Sequence, residues 1–138
     1  MSNITQTPAN VTVIGDVGTI DRVTGGEAIT QGMPVYLAST GKWLQHDANT
    51  SAAASAQQGI AMQPCSGDGV KFGVCKTKGA RINIGATLVK GTVYVVSATK
   101  GAICPQADLT TGDYIQILGI AESTSIMKSL FDPTGILL

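Results

Sequence analysis

The chain has little charge and few aromatic rings. Only 13% of its 138 residues are Asp, Glu, Lys or Arg, about half of the usual share of roughly 25%. Nine basic residues balance nine acidic ones, so the formal net charge at pH 7 is zero. A neutral chain without a basic run offers no electrostatic footprint for nucleic acid and no polybasic patch for a membrane surface. The composition therefore predicts neither nucleic acid nor a membrane as a partner.

The low charge bears on association as well. A neutral, weakly charged surface is poorly soluble on its own and suits an oligomer or a docked component. The 17 Gly and 16 Thr residues equally explain it, because they supply a surface that is polar and neutral. Both interpretations stay open at this point.

Residues that commonly catalyse reactions or bind metals are scarce. His46 is the only histidine, and we expect it to be exposed at a strand end, with Asp47 on the opposite face. A His-based catalytic triad is therefore not supported. Cys65, Cys75 and Cys104 lack the spacing of a paired zinc motif. We expect free thiols of a cytosolic protein, and a single Cys65–Cys75 bridge across a hairpin remains an alternative.

The acidic residues are dispersed and mostly adjoin Gly, Thr or Pro. Turn formation explains this placement, although a weak calcium site on a loop remains an alternative. No phosphate-binding glycine motif occurs in the sequence. We therefore predict a protein that is not an enzyme and that has no cofactor.

The first ten residues, MSNITQTPAN, contain neither a basic cluster nor an apolar core. This composition does not predict a signal peptide. No apolar run approaches the roughly 20 residues that a membrane-spanning helix requires. We expect residues 1–10 to form an extended arm, ordered only where something holds it.

Short apolar runs with turn signals between them make up the rest of the chain. VKFGVCK (70–76) alternates between apolar and other residues, as a strand does, and TVYVVSA (92–98) is continuously apolar. DPTG (132–135) is expected to turn the chain into the final ILL. No segment shows a sustained helical period, and apolar runs recur about every 8 to 12 residues. This pattern predicts an all-β sandwich or barrel.

One phrase occurs twice in the chain. QGMPVYLASTGKW (31–43) is followed by the similar KGTVYVVSATKG (90–101). The triplet Gly-Ile-Ala likewise occurs at 59–61 and again at 119–121. The shared Gly and Tyr residues suit turns and half-buried strand faces, so they indicate a scaffold that is used twice. Chance recurrence in a β protein is the alternative.

We therefore predict a compact sandwich or barrel built from two pseudo-repeats of about 59 residues, with an extended N-terminal arm. The predicted β domain spans 25–132, with pseudo-repeats at 26–84 and 85–132. An arm with the first strands precedes it in 1–24, and a tail follows it in 133–138.

The stretch GEAITQGMPVYLASTGKWLQHDANTSAAASAQQGIAM (26–62) resembles a pattern in the head decoration, or cement, proteins of tailed bacteriophages. The features are a Gly-Glu start, a Val-Tyr-Leu strand, a Gly-Lys turn, an Ala-rich stretch and a Gly-Ile-Ala strand. The second half looks like a related module, and the resemblance covers roughly residues 25 to 125. These structural phrases also recur in fibre and appendage proteins.

The resemblance implies a structural virion protein that binds the outer surface of the capsid and bridges major capsid subunits. Such a protein is made in the host bacterial cytoplasm and acts as a homotrimer or, less commonly, as a dimer. Its N-terminal arm would lie across the capsid and add a strand to a neighbouring sheet. The alternative is a receptor- or carbohydrate-binding module of a phage fibre or appendage, although the chain contains no shaft segment.

Polarity and position suggest which residues contact the capsid or another subunit. They belong to the arm, to a strand that is expected to be exposed, and to the apolar tail. Trp43 can also be read as a rim or core residue. The candidates are Ile4, Val11, Val13, Tyr36, Trp43, Ile136, Leu137 and Leu138.

Overall fold

In the computed structural model, which describes residues 3–50 and 56–138, the chain is all-β, as predicted. Single 3-10 turns at Pro8–Asn10 and Gln106–Asp108 are the only helical elements among those residues. The strands are β1 (Thr12–Ile14), β2 (Asp21–Thr24), β3 (Pro34–Leu37), β4 (Trp43–Gln45), β5 (Gln58–Ala61), β6 (Lys71–Cys75), β7 (Arg81–Asn83), β8 (Val93–Val96), β9 (Ile103–Pro105), β10 (Tyr114–Ala121) and β11 (Ile126–Leu137).

The strands form two sheets. One has six strands in the order β1-β7-β11-β10-β8-β9, and the other has five in the order β2-β6-β5-β3-β4. Residues 11–24 contain β1 and β2, and these two neighbouring strands join different sheets. Val13 pairs with Ile82 in the six-stranded sheet, whereas Val23 pairs with Phe72 in the five-stranded one. The segment between β1 and β2 therefore crosses from one sheet to the other.

The five-stranded sheet curls until its two edges meet. Gly25, directly after β2, forms a parallel bridge with Trp43 in β4. The N–H of Gly26 donates to the carbonyl of Trp43 at 2.9 Å. Apolar side chains fill the space inside this closure, namely Ile29, Val35, Trp43, Ala61, Cys65, Phe72 and Val74.

A larger apolar core includes residues from both sheets. Its buried members come from the first half of the chain as well as the second: Val11, Ala48, Ile60, Met62, Cys75, Ala80, Ile82, Ile84, Leu88, Tyr94, Val96, Ile103, Leu118, Ala121, Met127 and Phe131. The two halves thus share one interior and pack against each other.

The two sheets have the same internal strand order. When β2 to β6 are matched in chain order with β7 to β11, the order in each sheet becomes first, fifth, fourth, second, third, and β1 is added beside β7. This equality supports the predicted duplication, which itself stays a prediction. The predicted boundary between the pseudo-repeats follows residue 84. In the structure β7 (Arg81–Asn83), which precedes that boundary, belongs to the six-stranded sheet together with β8 to β11. The repeated phrase, at 31–43 and 90–101, comes after β2 and β7, which are the first of the five matched strands in each sheet. The phrase therefore does not mark where each set of matched strands begins.

The turn expected at DPTG is not present. Strand β11 continues through it, with Pro133 opposite Gln116 and Ile136 opposite Ile115. Two residues therefore bulge out of the ladder between these pairs. The hydroxyl of Thr134 donates to the carbonyl of Ile115 at 2.6 Å, so the side chain takes over a ladder position and the strand does not end.

Candidate docking surface

Three of the predicted contact residues are buried in the chain's own interior. Tyr36 and Trp43 are only 8% and 3% exposed, so the prediction that they lie on an exposed strand is wrong. Trp43 points into the closed five-stranded sheet. Tyr36 lies in β3, a central strand, with its ring centroid 5.2 Å from that of His46. Val11 is 1% exposed and belongs to the larger core.

The remaining arm candidates also face the protein. Ile4 and Val13 are partly buried and pack against the larger core. The apolar side chains proposed for external contact in residues 4–13 are thus engaged within the chain. What holds the described part of the arm in this structure is the body of the same molecule.

The C-terminal tail, in contrast, exposes its apolar side chains. Ile136 and Leu137 are each 56% exposed, and Leu138 is 44% exposed. The backbone is nevertheless held. The N–H of Leu138 donates to the backbone carbonyl of Asp113 at 2.8 Å, and the carbonyl of Leu138 accepts from the N–H of Gly112 at 2.9 Å. Ile136 and Leu137 are consecutive residues of β11, so their side chains project from opposite faces of the strand, and a partner that covers the strand end would contact both. We call Ile136–Leu138 the C-terminal patch.

Leu130 of β11 is another exposed apolar residue, and it is not among the predicted contact residues. It is 41% exposed, whereas the flanking Ser129 and Phe131 are buried. Strand alternation within SIMKSLF (125–131) indicates this exposure, because Leu130 lies two residues after the charged Lys128 and therefore on the same face of the strand. Phe131 has a φ of +42° in the region where the pairing register shifts, so a bulge lies between Leu130 and the C-terminal patch.

His46 is fully buried, so the expectation of an exposed histidine is wrong. Its Nδ1 accepts the N–H of Asp47 at 3.0 Å, which leaves Nε2 as the protonated nitrogen that donates to Gln58 Oε1 at 2.9 Å. The Gln58 amide then donates to the carbonyl of Ile117 at 2.9 Å. This chain of hydrogen bonds joins the two sheets. Because both ring nitrogens are hydrogen-bonded, the free-energy cost of burying the polar ring is offset.

Burial lowers the pKa of His46 to about 4, and the hydrogen bond to Gln58 only partly opposes this. The imidazole is therefore neutral at pH 7, with both ring nitrogens engaged by the protein. A group in this state holds two sheets in register but is not positioned to exchange protons with a substrate.

All three cysteines are free and buried, so the Cys65–Cys75 bridge that was left open is not formed. Cys65 belongs to the interior of the five-stranded sheet, whereas Cys75 points into the larger core. Burial raises the pKa of Cys75, and it raises the pKa of Cys104 to about 11. These thiols stay protonated near neutral pH and are poor nucleophiles.

Among residues 3–50 and 56–138, no group of three or more His, Cys, Asp or Glu side chains could hold a metal ion. No helix in this part of the chain is long and apolar enough to span a membrane. A depression of about 620 Å³ lies beside the arm. Its lining is uncharged and consists of Thr5, Thr7, Ala9, Asn10, Thr12, Asn83, Gly85, Ala86, Thr87 and Ser125.

No family model, no curated protein and no solved structure matches this chain.

Proposed function

We propose that the chain is a structural virion protein that binds the outer surface of a phage capsid and bridges major capsid subunits. The observation that carries this proposal is the C-terminal patch, Ile136–Leu138, whose backbone is held while its apolar side chains are exposed. The resemblance of residues 26–62 to head decoration proteins supplies the partner. The protein would be made in the host cytoplasm and would reside on the virion surface.

The patch by itself supports only a weak contact. Full burial of an Ile or Leu side chain contributes about 1.5 to 3 kcal/mol, and these three are already about half buried. About 1 kcal/mol per residue is thus left to be gained at an interface, and the total reaches about 3 kcal/mol only where the partner covers both faces of the strand end. Affinity useful to a capsid then requires several copies acting together, which favours a homo-oligomer, with a trimer favoured and a dimer as the alternative.

Stabilisation of the shell would follow from mass action. A ligand that binds only the assembled lattice lowers the free energy of that lattice relative to dissociated or unexpanded subunits. The near-neutral surface of the protein avoids repulsion between copies that sit close together on the shell.

The direct test mixes purified protein with undecorated phage heads, pellets the heads and measures bound protein. We expect co-pelleting and heads that withstand higher temperatures before releasing DNA. Leu137→Asp should weaken binding at least about tenfold, because it places a charge in the contact. The matched control is Val89→Asp, since Val89 is exposed at 67% and lies outside the patch. If the wild-type protein stays in the supernatant and the heads gain no heat resistance, the proposal fails.

One observation favours the alternative, a receptor- or carbohydrate-binding module. The depression beside the arm is lined largely by hydroxyl and amide side chains, which suit a neutral, hydroxyl-rich ligand. Its described lining contains no aromatic ring on which a sugar could stack, so we rank this function second. Saturation-transfer NMR with a panel of neutral oligosaccharides tests it, and loss of any signal in Thr87→Val would assign the site.

A further inference from the structure

The two sheets differ at one place despite their equal strand order. In the five-stranded sheet the edges meet directly, through the hydrogen bond from Gly26 to the carbonyl of Trp43. The matching positions in the six-stranded sheet are Gly85 and Ile103, at offsets of 59 and 60 residues. In the described part of the chain, no backbone hydrogen bond joins these two positions. We call the space between β9 and the Gly85 turn the seam.

The N-terminal arm fills this seam. The N–H of Ile4 donates to the carbonyl of Ile103 at 2.9 Å, the same length as the bond from Gly26 to Trp43. Three residues later, the N–H of Thr7 donates to the carbonyl of Gly85 at 2.6 Å. The arm thus bonds both matching residues, in each case at the carbonyl, whereas the N–H of Gly85 donates to Asn83 Oδ1 at 3.0 Å.

The side chains are complementary in the same way. Position 43 is the large Trp43, which fills its closure, whereas position 103 is the smaller Ile103. Ile4 from the arm packs against the core cluster that contains Ile103. The amide of Gln6 donates to the carbonyls of Gly32 at 2.8 Å and Ile84 at 3.0 Å, so the arm binds both halves of the chain.

The arm is held by hydrogen bonds more than by burial, and these include bonds between the Asn3 side chain and the hydroxyls of Thr99 and Ser97. None of residues 3–10 is fully buried, and among the described residues Val11 is the first that is. The 3-10 turn at Pro8–Asn10 separates the seated segment from this anchor, with extended backbone at Thr7 and at Val11 on either side. If the turn straightens, the four residue steps from Thr7 to the anchor Val11 span up to about 14 Å, which is the distance over which the seated segment could move away from its own seam.

We propose that the seam is a strand-accepting groove and that, in the assembled protein, it takes residues 3–7 of a second copy. The occupant is argued from the structure itself, because the segment seated there already satisfies the groove's hydrogen bonds and apolar contact. Exchange between identical chains recreates these contacts, so it is opposed by the entropy of association and by the loss of the two hydrogen bonds within the 3-10 turn. A short hinge next to the exchanged segment is the usual setting for such swapping. The proposal does not depend on capsid binding.

The groove is tested with a fluorescent peptide of the sequence NITQTPAN, which corresponds to residues 3–10. It is titrated into the full chain and into the full-length variant Ile4→Ser/Gln6→Ala, whose own arm is weakened. We expect the variant to bind the peptide about tenfold more tightly than the wild type, because the competing arm has lost an apolar contact and two hydrogen bonds. Thr5→Ala, at an exposed arm position, is the matched control and should behave as the wild type. Absence of peptide binding to the folded variant overturns the groove.

Exchange is tested by native mass spectrometry and light scattering from micromolar to millimolar protein. The wild type should form a closed dimer or trimer at high concentration, and labelled and unlabelled chains should mix in it. The Ile4→Ser/Gln6→Ala variant should stay monomeric, and Thr5→Ala should assemble as the wild type does. A monomeric wild type at millimolar concentration overturns exchange, even if the peptide binds. An oligomer that is unaffected by the arm substitutions overturns it too.

Discussion

The buried hydrogen-bond chain from His46 through Gln58 to Ile117 predicts that acid weakens the fold at a definite pH. The perturbation is a change from pH 8 to pH 5. The pKa of His46 is about 4 in the folded protein against an unperturbed value of 6.5. Below pH 6.5 the unfolded chain therefore takes up a proton that the folded chain refuses, and stability falls as the pH decreases.

The magnitude follows from the two pKa values. At pH 5 the unfolded state is almost fully protonated at this site, while the folded state is about one-tenth protonated. The free energy of unfolding should drop by about 2 kcal/mol relative to pH 8, and the loss should level off below about pH 4. For a domain of this size such a loss lowers Tm by about 6 °C.

Urea unfolding followed by circular dichroism at pH 8, 6.5 and 5 measures this loss. The control is His46→Gln, which removes the titrating group, so the difference between the two proteins isolates His46 from the carboxylates. NMR of the imidazole should show a neutral ring protonated at Nε2 down to about pH 4. If the variant and the wild type have the same dependence of stability on pH, the reasoning is refuted.

Three further predictions concern the interior. Gln116 is fully buried, and its side-chain amide has no hydrogen-bond partner among the described residues. Gln116→Met should therefore raise the free energy of unfolding by about 1 to 2 kcal/mol. A loss of stability in urea melts would contradict this. A Cβ at Gly59 would lie 2.7 Å from the carbonyl oxygen of Cys75, so Gly59→Ala should destabilise the fold by about 2 kcal/mol or more. The control Gly67→Ala has open space and should be nearly neutral, and equal melting temperatures would refute the close approach. Cys104 should resist a thiol reagent such as DTNB until the chain unfolds, because its pKa is raised to about 11 in the interior; rapid modification of the native protein would disprove this.

Local patterns explain the part of the fold that was predictable. Alternation in VKFGVCK and the continuous apolar run in TVYVVSA correspond to β6 and β8, and glycine-containing turns separate them from their neighbours. The duplicated phrase led to the prediction of two pseudo-repeats, which stays a prediction, and the equal strand order of the two sheets could be read only from the structure. These features depend on residues that are adjacent in the chain, and a single sequence displays them directly.

The exposure of the candidate contact residues was only partly predictable. The side chains of the C-terminal patch are exposed, whereas Tyr36 and Trp43 are buried. An aromatic residue in a short strand looks the same in sequence whether that strand is at an edge or in the centre of a sheet. Its exposure depends on which strands pair beside it and which sheet packs over it.

The sequence by itself determined that the chain is all-β, where most strands lie and that a strand phrase recurs, since these follow from local periodicity and turn chemistry. Tertiary structure decided that β1 and β2 part into different sheets, that His46 is sealed between the halves, and that the chain at DPTG bulges instead of turning. It also decided that residues 4–7 bond the edges of the six-stranded sheet at the place where the edges of the five-stranded sheet bond each other. Each of these depends on pairing between segments far apart in the chain, whose free energy arises only when both partners are in place.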